Sequence, residues 1–156
     1  MSWIGLSRSL LCFVGLVVSG YSLFVEVKKL NDPSYQALCD ISEYVSCSKA
    51  FTSRYGKGFG IIGLIVGEDH FLNQPNSFLG ILFYLLILIS GLLRNQFLAQ
   101  LIFGLVVVSN FFSIYLASIL YFVLEDFCIV CFSIYVINFF LLFPTHAKLK
   151  LKSKRH

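Results

Sequence analysis

Residues 97–131 read FLAQ LIFGLVVVSN FFSIYLASIL YFVLEDFCIV C, and this stretch decides the fold class. Phe97 to Leu124 carries no charge over 28 positions. A helix needs only about 20 apolar residues to cross a bilayer's hydrocarbon, so a longer run implies tilt or a protruding end. Glu125 and Asp126 close the run, and a second apolar run, Phe127 to Phe143, follows at once and stops at Pro144. Two spans joined by an acidic turn are the expected reading.

Two further apolar runs lie N-terminal to this pair. Ser9 to Val25 is bracketed by Arg8 on one side and by Glu26, Lys28 and Lys29 on the other. The other starts near Phe78, after a turn and helix start made by Asn73, Pro75, Asn76 and Ser77, and stops at Arg94. The sequence therefore predicts an all-α membrane protein, a four-transmembrane-helix bundle with a loop or cap between helices 1 and 2. The helices are expected at about 9–27, 77–93, 97–124 and 127–143, with a loop at about 29–76 and a basic tail at 145–156, in one domain spanning 1–156.

Composition agrees. Of 156 residues, 58% are hydrophobic and 13% charged, with a mean hydropathy of +0.83, whereas a soluble domain carries about a quarter charged residues. The 17% aromatic content excludes intrinsic disorder. Four spans leave roughly 70 residues for loops and tails, too few for a second enzyme domain. Any partner activity must come from another chain. The net charge of +4 reflects lysines gathered in one tail, with no basic groove interleaved with aromatics, so nucleic acid is not an expected partner.

With four passes, both termini share one face. Arg8, Arg94, Lys148, Lys150, Lys152, Lys154 and Arg155 then lie on the terminal side, against Lys28, Lys29, Lys49, Arg54 and Lys57 opposite. Seven cations against five, with all eight acids on the far side, favours cytosolic termini and a loop facing a lumen or exterior. Small residues at Val18 and Gly20 leave open a cleavable leader in the first run, and the loop is non-cytosolic either way.

Of the five cysteines, Cys12 lies inside the first apolar run and reads as packing. The other four form two pairs toward one face: Cys39 with Cys47 in the loop, and Cys128 with Cys131 at the start of the fourth helix. A non-cytosolic loop permits a structural disulfide, and closing that loop contributes about 2.6 kcal/mol on the chain-entropy model. In C-I-V-C the two positions are one helical turn apart, so a bridge there constrains almost nothing and points to reactivity. With Asp126 as the expected N-cap, Cys128 falls in the first turn, where the helix dipole favours a thiolate. A zinc site is the chemical rival, but only one pair has the C-x2-C spacing, and that pair lies on a membrane helix where a loop knuckle is expected.

Cys128, Cys131 and Tyr135 are spaced i, i+3 and i+7, which makes one helix stripe entering the bilayer from the loop side. A dithiol among Phe127, Ile129, Val130 and Phe132 suits an apolar substrate arriving through lipid, such as a lipid quinone. Tyr135 supplies a hydrogen-bond donor for charge developing on a carbonyl oxygen. Asn76 is a second candidate donor or simply a helix cap. The segment F-T-S-R-Y-G-K-G-F-G, residues 51–60, lacks the phosphate-loop pattern; alternating glycine and aromatic residues suit an apolar lid or an interfacial anchor. Asn110, in mid-helix, is expected to bond between helices.

C-x7-C in the loop, F-T-S-R-Y-G-K-G-F-G, L-N-Q-P-N-S before a helix, and D-F-C-I-V-C followed by Tyr135 together resemble the vitamin K epoxide reductase family over nearly the whole chain. The resemblance implies a four-helix protein of the endoplasmic reticulum membrane, with termini cytosolic and active site toward the lumen. Such proteins reduce vitamin K epoxide to quinone and quinone to hydroquinone, and are targets of warfarin-type anticoagulants. It makes Cys128 and Cys131 the catalytic pair, with Cys131 facing substrate, and Cys39 and Cys47 the relay. It makes Asn76 and Tyr135 donors to the substrate ketones, Phe51 a cover over the ring, and Ser53 a support of the lid. Where the family usually has Trp, this chain has Tyr55.

The resemblance further implies no tightly bound cofactor and no metal, a thiol electron donor, a separate lumenal thioredoxin-fold reductant, membrane lipid as surroundings, and a monomer. The tail K-S-K-R-H resembles a dilysine retrieval signal. Two other readings stay open: a quinone-dependent disulfide-forming oxidase, and a non-catalytic tetraspan protein stapled by disulfides.

Overall fold

The structure, a computed structural model, describes residues 3–93 and 95–153. Arg94, Lys154 and Arg155, and with them the end of the expected retrieval signal, lie outside the described residues, as does the side chain of Lys152. Six helices follow one another among the described residues: α1 (Trp3–Asn31), α2 (Cys47–Thr52), α3 (Ile62–Val66), α4 (Asn76–Ser90), α5 (Gln96–Phe122) and α6 (Ile129–Ser153). Two 3₁₀ turns, Arg54–Gly56 and Gly58–Gly60, join α2 to α3. No strand forms among the described residues; the chain makes only isolated bridges, Ser42 with Val45 and Lys57 with Pro75.

Three helices, α1, α5 and α6, are long and apolar enough to cross a membrane. The expected second span is shorter than its sequence run. At 15 residues α4 is about 22 Å long, less than the roughly 30 Å of a bilayer's hydrocarbon core. The helix ends because the chain turns at Gly91, whose N–H bonds to the Leu88 carbonyl at 2.9 Å. The Lys148 ammonium donates to the Gly91 carbonyl at 3.1 Å, and the Arg8 guanidinium packs against Gly91. Cations there complement the negative end of α4.

The fourth run also departs from expectation, since α6 continues through Pro144 to Ser153. Proline's fixed φ is compatible with a helix, and its cost is one lost N–H and a ring clash, which membrane-type helices accommodate. In the next residue the Thr145 hydroxyl donates to the Leu141 carbonyl at 2.7 Å.

Polarity is inverted relative to a soluble bundle. Ser19, Ser22, Glu26, Ser113 and Asn138 are buried, while Phe13, Phe24, Leu101, Phe111 and Phe139 are exposed along the helices. An apolar exterior of this extent suits lipid. α1 packs against both α4 and α6, and α6 against α5. Gly15 on α1 permits the α1–α4 approach, because a methyl there would overlap the Tyr84 ring. The Tyr84 hydroxyl donates to Asn138 Oδ1 at 2.8 Å, and Asn138 Nδ2 to Ser113 Oγ at 3.0 Å. Asn110 Nδ2 donates to the Asn138 carbonyl at 3.0 Å, the interhelical bond its sequence position predicts. Cys12 is fully buried beside Tyr84, Ile87 and Ile102, as packing requires.

Candidate active site

The loop after α1 is organised around Asp40. Its carboxylate accepts from the Ala37 N–H at 2.9 Å, from Ser46 Oγ at 2.9 Å, and from both the N–H and the hydroxyl of Ser48. Partial burial works against the charge, but the Ser48, Ala37 and Ser46 donors outweigh it and hold the carboxyl down at about 2. A depressed value means that Asp40 stabilises the loop fully above its unfolded value near 3.8 and ceases to do so as the pH falls through about 2. Asp40→Ala removes these bonds at every pH. Limited proteolysis at pH 7 is expected to cut residues 37–48 several-fold faster than in the wild type; an unchanged rate means that the disulfide alone orders the loop.

That disulfide joins Cys39 to Cys47, with Cα atoms 5.7 Å apart. Ser46 caps α2 by accepting the Lys49 N–H at 3.2 Å, and Cys47 is the first helical residue. The same loop docks on the entrance to α6. The Ser46 N–H donates to Asp126 Oδ1 at 3.1 Å, and the Phe127 N–H to the Tyr44 carbonyl at 2.8 Å. Cys39, Cys47 and Cys128 are consequently buried in one cluster, against which Cys131 packs.

Asp126 therefore does not cap α6, contrary to the sequence expectation. Glu125 adopts a left-handed φ of 47°, which turns Asp126 toward the loop. The N-cap position falls to Cys128: its carbonyl accepts the Phe132 N–H at 2.9 Å and its sulfur accepts the Cys131 N–H at 3.2 Å. Both C-I-V-C cysteines are free thiols, Cys128 buried and Cys131 partly exposed. The stripe predicted from their spacing divides into two environments. Cys128 faces the loop disulfide's cluster, while Cys131 and Tyr135 line a cavity.

This cavity, about 110 Å³, is several times larger than the roughly 10–15 Å³ one water needs. Five of the residues singled out in the sequence line it together: Cys131, Tyr135, Asn76, Phe51 and Ser53. Leu116, Ile119 and Leu120 of α5 supply an apolar wall. Phe51 and Tyr55 border it from the segment read as a lid. Ser53 supports that segment by donating from Oγ to the Ala50 carbonyl at 2.8 Å, which closes the last turn of α2.

Asn76 is not a helix cap. Pro75 holds the N-cap position, and the Asn76 carboxamide reaches the lid backbone at both ends. Oδ1 accepts the Phe59 N–H at 2.9 Å and Nδ2 donates to the Tyr55 carbonyl at 2.6 Å. Around the Phe59 anchor the chain passes through left-handed φ at Gly58 (51°), Phe59 (57°) and Gly60 (71°). Glycine relieves the strain at two of the three, and the third is fixed by stacking of Phe59 on Phe112 of α5, with centroids 4.4 Å apart.

Sequence reasoning missed Glu26, taken there only as a charge ending the first run. It is 2% exposed and lines the cavity with Ser19 and Ser22. The signal was present, since Ser19, Ser22 and Glu26 are spaced i, i+3 and i+7 on one face of an otherwise apolar helix.

A wall thiol, facing donors and an adjoining disulfide thus lie together in one part of the fold. The sequence pattern of the vitamin K epoxide reductase family matches residues 7–146. Vitamin K epoxide reductase complex subunit 1 of Mus musculus is 45% identical over 153 residues, covering 97% of this chain and 95% of that protein. The subunit 1 of Rattus norvegicus is 45% identical over 134 residues, covering 86% and 83%. Since the match spans the α1 polar face, the loop disulfide, the lid and the C-I-V-C helix alike, the chain belongs to the vitamin K epoxide reductase family.

Proposed function

We propose that this chain is a membrane thiol oxidoreductase that reduces vitamin K epoxide to the quinone and the quinone to the hydroquinone. The observation that carries this reading is the cavity in which a free Cys131 thiol faces Tyr135 and Asn76, while Cys128 behind it adjoins the Cys39–Cys47 disulfide. The names of the mouse and rat relatives support the same substrate.

In this reading Cys131 attacks the ring, Cys128 attacks the resulting sulfur adduct, and the ring leaves as an enolate whose oxygen is stabilised by Asn76 and Tyr135. The Cys128–Cys131 disulfide so formed is reopened by Cys47, and the loop pair is in turn reduced by a lumenal thioredoxin-fold dithiol protein. Electrons come from thiols, with no tightly bound cofactor. The chain acts as a monomer in the endoplasmic reticulum membrane, as one domain of four spans, with cytosolic termini and residues 29–76 as a lumenal cap. The α4 helix makes its crossing with the help of the turn residues that follow it.

The test is epoxide consumption by the purified protein with a small dithiol. Conversion to quinone and then hydroquinone is expected, and an oxidase specialised for quinone would leave the epoxide untouched. Cys47→Ser should lower turnover about tenfold or more with a thioredoxin-fold reductant yet spare turnover with the small dithiol, which reaches the C-I-V-C pair directly. Equal loss with both donors would contradict the relay.

A further inference from the structure

Glu26 sits where two cavities meet. It lines the apolar cavity with Cys131, and also an outer polar cleft with Arg54, Lys57, Glu68 and Asp69. Its Oε2 accepts from Ser77 Oγ at 3.1 Å, while Oε1, equally buried, has no hydrogen-bond partner among the described residues. Burying a carboxyl oxygen without a partner is costly, and such a group is retained where it exchanges protons or binds a ligand. Tyr135 and Asn76 can hydrogen-bond a substrate oxygen, but the epoxide oxygen must also gain a proton to leave as water.

We propose that Glu26 is the catalytic acid that protonates the substrate oxygen in this cavity; the inference rests on the epoxide-reductase reading above. The Cys131 thiolate, its own proton already released to solvent, forms the S–C bond as the epoxide C–O bond breaks. The new alkoxide takes the Glu26 proton. The Cys128 thiol gives up its proton to solvent and attacks the Cys131 sulfur, so that the S–S bond forms and the S–C bond breaks, while the Glu26 carboxylate regains a proton from solvent through the outer cleft. The enolate released expels hydroxide, which combines with the proton given up by Cys131 to leave as water. Two thiols are oxidised to a disulfide, the epoxide is reduced to the quinone, and Glu26 ends as it began. The outer cleft gives it access to solvent between turnovers.

The experiment compares the wild type, Glu26→Gln and Glu26→Ala in the full-length purified protein, using vitamin K epoxide, a small dithiol, and added formate as a diffusible acid. General acid catalysis is worth about 10²–10⁴-fold, so both variants should lose about 100-fold or more in kcat. Formate should restore turnover in Glu26→Ala, where it fills the vacated space, and not in Glu26→Gln, where the carboxamide occupies it. Alkylation of Cys131 at the wild-type rate in both variants checks that the site remains folded. A kcat for Glu26→Gln within about threefold of the wild type overturns the proposal. So does a slow Glu26→Ala that formate leaves slow, which assigns Glu26 a structural role. If the wild type itself leaves epoxide untouched, the functional reading fails before the variants are compared, and the two failures are distinguishable.

Discussion

Cys131→Ala is expected to abolish reduction of both epoxide and quinone with every reductant, a loss of about 10⁴-fold or more, since removing a covalent nucleophile leaves only binding and electrostatic stabilisation. The reason is positional. Cys131 is the cysteine on the cavity wall, whereas Cys128 is buried at the N-cap position and Cys39 and Cys47 are bonded to each other behind it. Among the described residues no other sulfur lines this cavity. Cys128→Ala makes the complementary measurement. It leaves the attacking thiol in place and removes the resolving one, so a covalent adduct of Cys131 with the ring should accumulate and be visible by intact-protein mass spectrometry. Turnover retained by Cys131→Ala would remove the mechanism.

The three long apolar helices and the Cys39–Cys47 pairing were legible because they depend on local pattern. A 28-residue run without charge can hardly be anything but a long apolar helix, and Cys131 and Tyr135 lie four positions apart, so one helical turn carries both to the cavity. Features that depend on what a distant residue does were not legible. The turn that ends α4 at Gly91 meets Arg8 and Lys148, which come from distant parts of the chain. Asp126 was read from its neighbours as a cap, but its partner, Ser46, is 80 residues away. Pro144 obeys no local stop rule, because a helix enclosed by lipid and other helices tolerates one missing bond. Glu26 was hidden for a simpler reason: a charge at the end of an apolar run marks a membrane boundary far more often than a buried acid.

Asn76→Ala carries the second large expectation, a loss of about 10²–10³-fold in kcat, the usual size when one donor to a developing oxyanion is removed. Its carboxamide also latches the lid, so the substitution strands the Phe59 N–H and the Tyr55 carbonyl as well. Each orphaned group costs at most about 1–3 kcal/mol, less where water reaches these partly buried atoms, and the segment already holds Phe59 at a left-handed φ. The two roles separate experimentally. Arg54 and Lys57 lie within the lid, so trypsin reports its opening directly, and cleavage there should accelerate in Asn76→Ala. Tyr135→Phe serves as the comparison, because it removes a donor on the opposite helix and leaves the lid anchors intact; it should slow kcat without changing trypsin sensitivity. If Asn76→Ala loosens the lid but keeps its kcat, Asn76 is a latch alone and the oxygen is stabilised from the Tyr135 side. If kcat falls while the lid stays resistant, donation to substrate outweighs the latch. Loss of both is the expected result, since one carboxamide spans the lid backbone and borders the cavity at once.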